Sequence, residues 1–276
     1  MGAAMLALIT FNIQAQTLKT PAPSPLQTLK QSFALGDITI EYSRPSVKGR
    51  VIFGDLVPYG KIWRTGANAA TKITFSDDVK LEGKEVKAGT YAIYTIPNKD
   101  AWEILIYKDL TMGGNTANYK EENELLRFTV KPTPYMEKVE NFTINFSNII
   151  STSAVLEIIW DKTRVPVTIT TEIDAKVLKN IETALATDTR PYFPAANYYY
   201  ENNKDLNQAL IWVNKAIEQN PKGFFITMLK AKIELKLNDK NSAIASAEKT
   251  IALAKEAKND DYVKQAETFI TEAKKK

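Results

Sequence analysis

The chain carries two different hydrophobic rhythms, and they meet near residue 171. Before that point apolar and polar positions alternate with a period of two, as in half-buried strands. In residues 37–43, Ile38, Ile40 and Tyr42 fall on one face and Thr39, Glu41 and Ser43 on the other. Residues 70–76 resume a strand through Ile73 and Phe75, and Glu82-Gly83, Ala88-Gly89 and Pro97-Asn98 punctuate the stretch that follows. Residues 90–96 and 102–107 are apolar on both faces, which predicts central strands covered on both sides. Residues 111–122, with Met112-Gly113-Gly114-Asn115, read as a long flexible insertion. Strands are then expected at 124–130, 139–147, 152–160 and 165–171. About ten short strands separated by turn signals predict an antiparallel β-sandwich or an open barrel.

Beyond 171 the period becomes 3.6. Helices are expected at 173–186, with a stripe of Val177, Leu178, Ile181 and Leu185, and then at 192–202, 205–219, 223–237, 240–257 and 260–273. Ala243-Ile244 follows Ala209-Leu210 by 34 residues, and Ile251 follows Ile217 by 34. With Ala216 and Pro221, this is the spacing of a tetratricopeptide unit. Thr250 stands where a second small alanine is expected, and no proline closes the second unit, so the match is partial. A plain helical bundle would use the same apolar stripes. The architecture read from the pattern is therefore two domains, β at 26–171 and tetratricopeptide-like α at 172–276.

Residues 1–15, MGAAMLALITFNIQA, are uncharged and apolar and read as the hydrophobic part of a cleavable signal peptide, cut after Ala15. They lack the basic residues that normally open such a leader and are too short to span a bilayer. Residues 16–25, QTLKTPAPSP, read as a proline-rich extended linker. The expectation is an exported protein, periplasmic or extracellular, with no stable membrane anchor.

Composition narrows the chemistry. With no histidine and no cysteine, catalysis or metal binding through imidazole or thiolate is excluded. A net charge of +4 spread over interspersed charges of both signs argues against nucleic acid as a partner. No cofactor and no metal site is expected. Calcium would require a dense acidic loop, and none is present.

One stretch stands out. Residues 44–75, RPSVKGRVIFGDLVPYGKIWRTGANAATKITF, hold three of the six arginines. Arg44, Arg50 and Arg64, with Lys48, Lys61, Tyr59, Trp63 and Asn68, would form a pocket for an anion or a sugar: planar forks for a carboxylate or phosphate, flat rings for stacking, an amide for orientation. The same arginines could instead tie a long loop to buried carbonyls and to Glu41, Asp55 or Glu157. The run from Gly54 to Lys61 is not a phosphate-binding loop, because it has five residues between its glycines, an internal proline and Ile62 where a hydroxyl is needed. A glycosidase would need two facing carboxylates, for which Glu41, Glu103 and Glu157 are the strand-borne candidates. Asn141 and Asn145 lie in N-x-S/T triplets that read better as the wet face of a strand. Trp102 and Trp160 read as core.

The segment from Tyr42 to Ser76, followed by AGTYAIYTIP, WEILIYKD and later WDKTRVPV, resembles the domain-of-unknown-function family DUF2911 over residues 26–171. The resemblance implies a β-rich exported domain of Bacteroidetes-type bacteria, and it supplies no activity, cofactor or catalytic residue. The helical tail is similar to the repeat-bearing tails of some members. The expected function is a non-catalytic binding protein, the β-domain holding a small polar or anionic ligand or a glycan and the repeats a protein partner. The alternatives are a carbohydrate-active hydrolase or lyase with carboxylate or tyrosine acid/base chemistry, and a structural scaffold.

Overall fold

The computed structural model describes residues 20–186 and 190–275. The leader at 1–15 and the first residues of the linker lie outside them. The chain forms two compact units, the first ending at Ile173 and the second starting at Asp174.

The first unit contains β1 (Leu26–Phe33), β2 (Gly36–Ser43), β3 (Ala67–Phe75), β4 (Val79–Leu81), β5 (Lys84–Val86), β6 (Gly89–Ile96), β7 (Trp102–Tyr107), β8 (Glu124–Val130), β9 (Thr133–Ser147) and β10 (Ser153–Thr170). They form two antiparallel sheets, one ordered β1-β2-β3-β6-β7-β8 and one β5-β4-β10-β9. This is a sandwich, and no barrel closes. The alternation is what builds it: Ile38, Ile40, Tyr42, Ile73 and Phe75 from the first sheet are buried against Phe142, Ile144, Leu156, Ile158 and Trp160 from the second. Asn141 and Asn145 occupy the exposed positions between them.

Two strand expectations need correction. The strands expected at 152–160 and 165–171 are one continuous strand, β10, of 18 residues. Its pairing with β9 shifts register around Asp161, whose φ is +51°. The core positions of β10 fall on even residues up to Trp160 and on odd residues from Val165, so the period of two breaks there and one strand reads as two. The stretch at 111–122 is also no free insertion. β6 and β7 are apolar on both faces, and this segment covers the outer one. Met112 is buried there, Tyr119 stacks on Tyr107 at 4.8 Å, and Tyr107 meets Tyr94 edge-on at 5.5 Å.

The second unit contains α1 (Asp174–Leu185), α2 (Tyr192–Glu201), α3 (Leu206–Gln219), α4 (Phe224–Lys236), α5 (Lys240–Glu256) and α6 (Asp260–Lys275). Asp205 caps α3 by accepting from the Asn207 and Gln208 N–H groups at 2.9 and 3.1 Å, and Asp239 caps α5 through Ser242 at 3.1 Å. Each helix from α2 to α6 packs on the next, and α2 also touches α4 and α4 touches α6. Alanine makes this close approach possible: Ala196, Ala231 and Ala266 are fully enclosed, as are Ala209 and Ala243. The threonine that interrupts the pattern, Thr250, is accommodated by a buried hydrogen bond to Thr227 Oγ1 at 2.9 Å. Helix α1 differs from the others in burying none of its residues; its apolar stripe is half-buried, and Leu178 is exposed. Among the described residues no helix is long and apolar enough to cross a membrane.

Candidate functional site

The segment from residue 44 to 66, between β2 and β3, crosses the end of the sandwich and is rooted by Trp63. That ring is buried and stacks on Trp160 of β10 at 5.9 Å with an interplanar angle of 15°. Edge contacts join it to Phe142 at 5.3 Å, Phe53 at 6.1 Å and Trp102 at 6.3 Å. Its indole N–H donates to the Gly66 carbonyl at 3.1 Å, and its backbone pairs with Thr95 of β6 in both directions, at 2.8 and 2.9 Å. The long segment is thus tied to both sheets at one residue. Around this anchor the backbone turns sharply. Lys48, Thr65 and Asn68 all take left-handed φ values, of +47°, +55° and +58°. Thr65 is β-branched and fully buried, a combination costing on the order of 1–3 kcal/mol. Hydrogen bonds hold it in place: its hydroxyl meets Thr95 Oγ1 at 3.1 Å, and the Thr71 hydroxyl donates to its carbonyl.

Against Trp63 lies a cavity of about 330 Å³. Lys48, Arg50, Trp63 and Arg64, four of the eight expected site residues, line it. Leu56, Val57 and Trp160 add apolar wall, and Pro23 and Ser24 close one side. No carboxylate lines it. Tyr59 lines a different cavity, and Arg44, Lys61 and Asn68 line neither.

The arginines have separate tasks. Arg44 braces β9, its Nε donating to the Phe142 carbonyl at 3.0 Å and its Nη2 to Thr143 Oγ1 at 2.8 Å. Arg50 folds back on its own loop, donating to the Val47 and Ser46 carbonyls at 3.0 and 2.5 Å. Both match the loop-tying reading, although the partners are carbonyls and a threonine hydroxyl rather than Glu41, Asp55 or Glu157. Asn68 likewise donates to the Ser24 carbonyl at 3.1 Å and Ser43 Oγ at 3.2 Å. Together with the Arg44 N–H bond to the Pro25 carbonyl at 2.9 Å, this seats the end of the expected linker firmly in the β unit.

Arg64 is the exception. Its Nε is buried and has no hydrogen-bond partner, which costs on the order of 1–3 kcal/mol for a group of this kind. Its guanidinium lies over Gly114, where a Cβ would stand 2.6 Å from Nη1 and 3.0 Å from Cζ. Gly114 belongs to the segment covering β6 and β7, and the Tyr94 hydroxyl holds that segment by donating to the Met112 and Gly113 carbonyls, the latter at 3.2 Å. Burial, with Tyr107 and Asp109 nearby, pushes the Tyr94 phenol up to about 12, while Arg64 draws it down. The phenol therefore stays a donor through the neutral range.

The strand carboxylates are elsewhere. Glu103 pairs with Arg127 at 3.0 Å, Glu157 pairs with Arg164 at 2.5 Å and accepts from Ser147 Oγ at 2.6 Å, and Glu41 is exposed on β2. Among the described residues no cluster of acidic groups could hold a metal ion. The residues missed in the sequence are Gly114, against which the Arg64 guanidinium lies, Tyr94, which holds the Gly114 segment, and the strained Thr65. The Gly113-Gly114 pair was the one visible signal, and it marks a close backbone approach rather than flexibility.

Fold and cavity together define a two-sheet sandwich whose long β2–β3 crossing forms a cation-lined recess. The chain belongs to the family described as Protein of unknown function (DUF2911), whose model matches residues 24–169. The match covers the sandwich and stops before the helices. No curated protein and no solved structure matches the chain.

Gly114→Ala tests the geometry of Arg64. The added methyl meets the far end of a flexible side chain, so stability should change by less than about 1 kcal/mol while the guanidinium is displaced. The Arg64 Nε–Hε resonance should shift while that of Arg44 stays in place. An unchanged Arg64 resonance would show that Gly114 does not position Arg64.

Proposed function

We propose that the protein is an exported binding protein whose β unit holds a small anion, a carboxylate or phosphate, in the Arg64 cavity. One observation carries the reading: a recess lined by Lys48, Arg50 and Arg64 and by no carboxylate, beside which the Arg64 Nε is buried without a partner. An anionic oxygen supplies the missing acceptor in a charge-assisted bond, and the Trp63 and Trp160 rings give it a partly apolar setting in which that bond is strengthened. A purely structural role accounts for Arg44 and Arg50 but leaves Arg64 unexplained. Carboxylate acid/base chemistry on a carbohydrate is less well supported: no Asp or Glu lines the Arg64 cavity or the one lined by Tyr59, and in the recess lined by Asp78, Glu85 and Glu172 Asp78 and Glu172 are paired with Lys87 and Lys80.

The helices we read as two degenerate tetratricopeptide-like repeats with a capping helix that bind a protein partner. Their 34–35 residue spacing of enclosed alanines and the alternating contacts of α2, α4 and α6 support this. A recess between α4 and α6, with Met228, Lys232, Gln265 and Phe269 among its lining residues, is the place for a partner side chain. Phe269→Glu should abolish crosslinking to that partner in cells without unfolding the chain; equal crosslinking by both forms would refute this part.

Thermal unfolding at low ionic strength, with phosphate, sulfate, galacturonate and neutral galactose as probes, tests the anion site. An anion at about 100 times its Kd should raise Tm by roughly 5–10 °C. Galactose should do nothing, and Arg64→Gln should remove the shift. The reading fails if no anion moves Tm, or if the shift survives in Arg64→Gln.

A further inference from the structure

A second cavity, of about 210 Å³, is lined in part by the same loop as the first. Residues 53–59 serve both: Leu56 and Val57 line the first, while Phe53 and Tyr59 line the second. This loop is stiff. The Gly54 N–H donates to the Val57 carbonyl at 2.9 Å, Val57 returns a bond to Ile52 at 2.8 Å, and the Gly60 N–H donates to the Pro97 carbonyl at 3.0 Å. Behind it, Phe53 packs edge-on against Trp102 at 4.9 Å and lies 6.1 Å from Trp63. Phe53 and Trp102, which line the second recess, thus contact Trp63, which lines the first.

The chemistry of the second recess differs from that of the first. Tyr59 presents a ring that is 36% exposed. Gly54 fixes that ring, because its φ is +98° and a Cβ there would stand 2.7 Å from Tyr59 Cε2. Around the ring stand Asn98, Lys99, Lys162 and Thr163. None of these four side chains makes a hydrogen bond or ion pair with a described residue, and no carboxylate lines the recess. Pro132 and Pro134 add rigid edges. A fixed aromatic face takes the C–H face of a pyranose. An amide and a threonine hydroxyl match sugar hydroxyls, and two ammonium groups match a carboxylate. The first recess supplies anion contacts through Arg64, Arg50 and Lys48.

We propose that the two cavities are consecutive subsites for an acidic oligosaccharide, with one charged sugar against Arg64 and a neighbouring one against Tyr59, Lys99 and Lys162. This rests on the anion reading of the Arg64 cavity and extends it, because it requires a chain of linked sugars where that reading requires only one anion. Linking two weak sites raises affinity through effective concentration, by a factor on the order of 10². Lys99 and Lys162 are both exposed, so removing their charge does not disturb the core.

The test is calorimetry on the full chain with galacturonic acid, oligogalacturonates of two to six units, and linear pentaphosphate. The expected result is that oligomers bind on the order of 10²-fold more tightly than the monomer. A Lys99→Ala/Lys162→Ala variant, its Tm within about 2 °C of the parent, should lose that gain while keeping monomer affinity, and Tyr59→Ala should lose it as well. Monomer binding that needs Arg64 but gains nothing with chain length would overturn the subsites and leave the anion site standing. Absence of binding by monomer, oligomer and pentaphosphate alike would overturn both. Pentaphosphate binding as tightly as the oligomers, with the same dependence on Lys99 and Lys162 and none on Tyr59, would overturn the sugar assignment.

Discussion

Trp63 decides what the long crossing segment can do. A stretch of more than twenty residues between two strands has many backbone groups to satisfy and no ladder to satisfy them. Here the indole is inserted among Phe53, Trp102, Phe142 and Trp160, which come from the segment itself and from both sheets. Each ring contact contributes roughly 0.5–1.5 kcal/mol beyond the area it buries. Those contacts offset the left-handed conformations at Lys48, Thr65 and Asn68. Strain of that kind persists only where the surroundings over-determine it. Next to Thr65, the Arg64 guanidinium lies against Gly114 and its Nε meets no carbonyl.

The three arginines show how one residue type divides between bonded and unbonded donors. Guanidinium groups carry five donors in a fixed plane. Arg44 and Arg50 spend theirs on carbonyls and a hydroxyl within reach, and so hold β9 and the loop in place. Arg64 is walled by Gly114, and its Nε finds no acceptor. The first two brace the loop beside the recess, and the third keeps an unbonded donor. Arg50 and Lys48 add positive charge at the edge, where solvent screening weakens it. The buried Nε is therefore the stronger determinant.

Much of this was legible in the sequence, and the limits have physical causes. The helices α2 to α6 were readable because a 3.6-residue period and the 34-residue spacing from Ala209-Leu210 to Ala243-Ile244 agree with one another. The central position of β6 and β7 followed from their two apolar faces. What covers the second face did not follow, because Met112, Tyr119 and two glycines carry no period. β10 was cut in two because its alternation changes phase between Trp160 and Val165, past the left-handed Asp161. In the site, the clustering of arginine with Trp63 pointed to the right segment. It could not tell Arg64 from Arg44, because Arg44's acceptors, Phe142 and Thr143, lie about a hundred residues away in the chain and are set by the pairing of the sheets. Proline content likewise suggested a loose leader at 16–25. The Arg44 and Asn68 bonds to Pro25 and Ser24 that hold its end are equally non-local.

The central claim concerns one nitrogen, and its own resonance reports on it. With six arginines in the chain, the side-chain Nε–Hε signals are few enough to assign by single Arg→Lys variants and to follow during titration with phosphate. The account predicts a saturable shift of the Arg64 signal, a smaller one at Arg50, and none at Arg44 or Arg127. An Arg64 signal that stays still, or six signals that drift together without saturating, would contradict it.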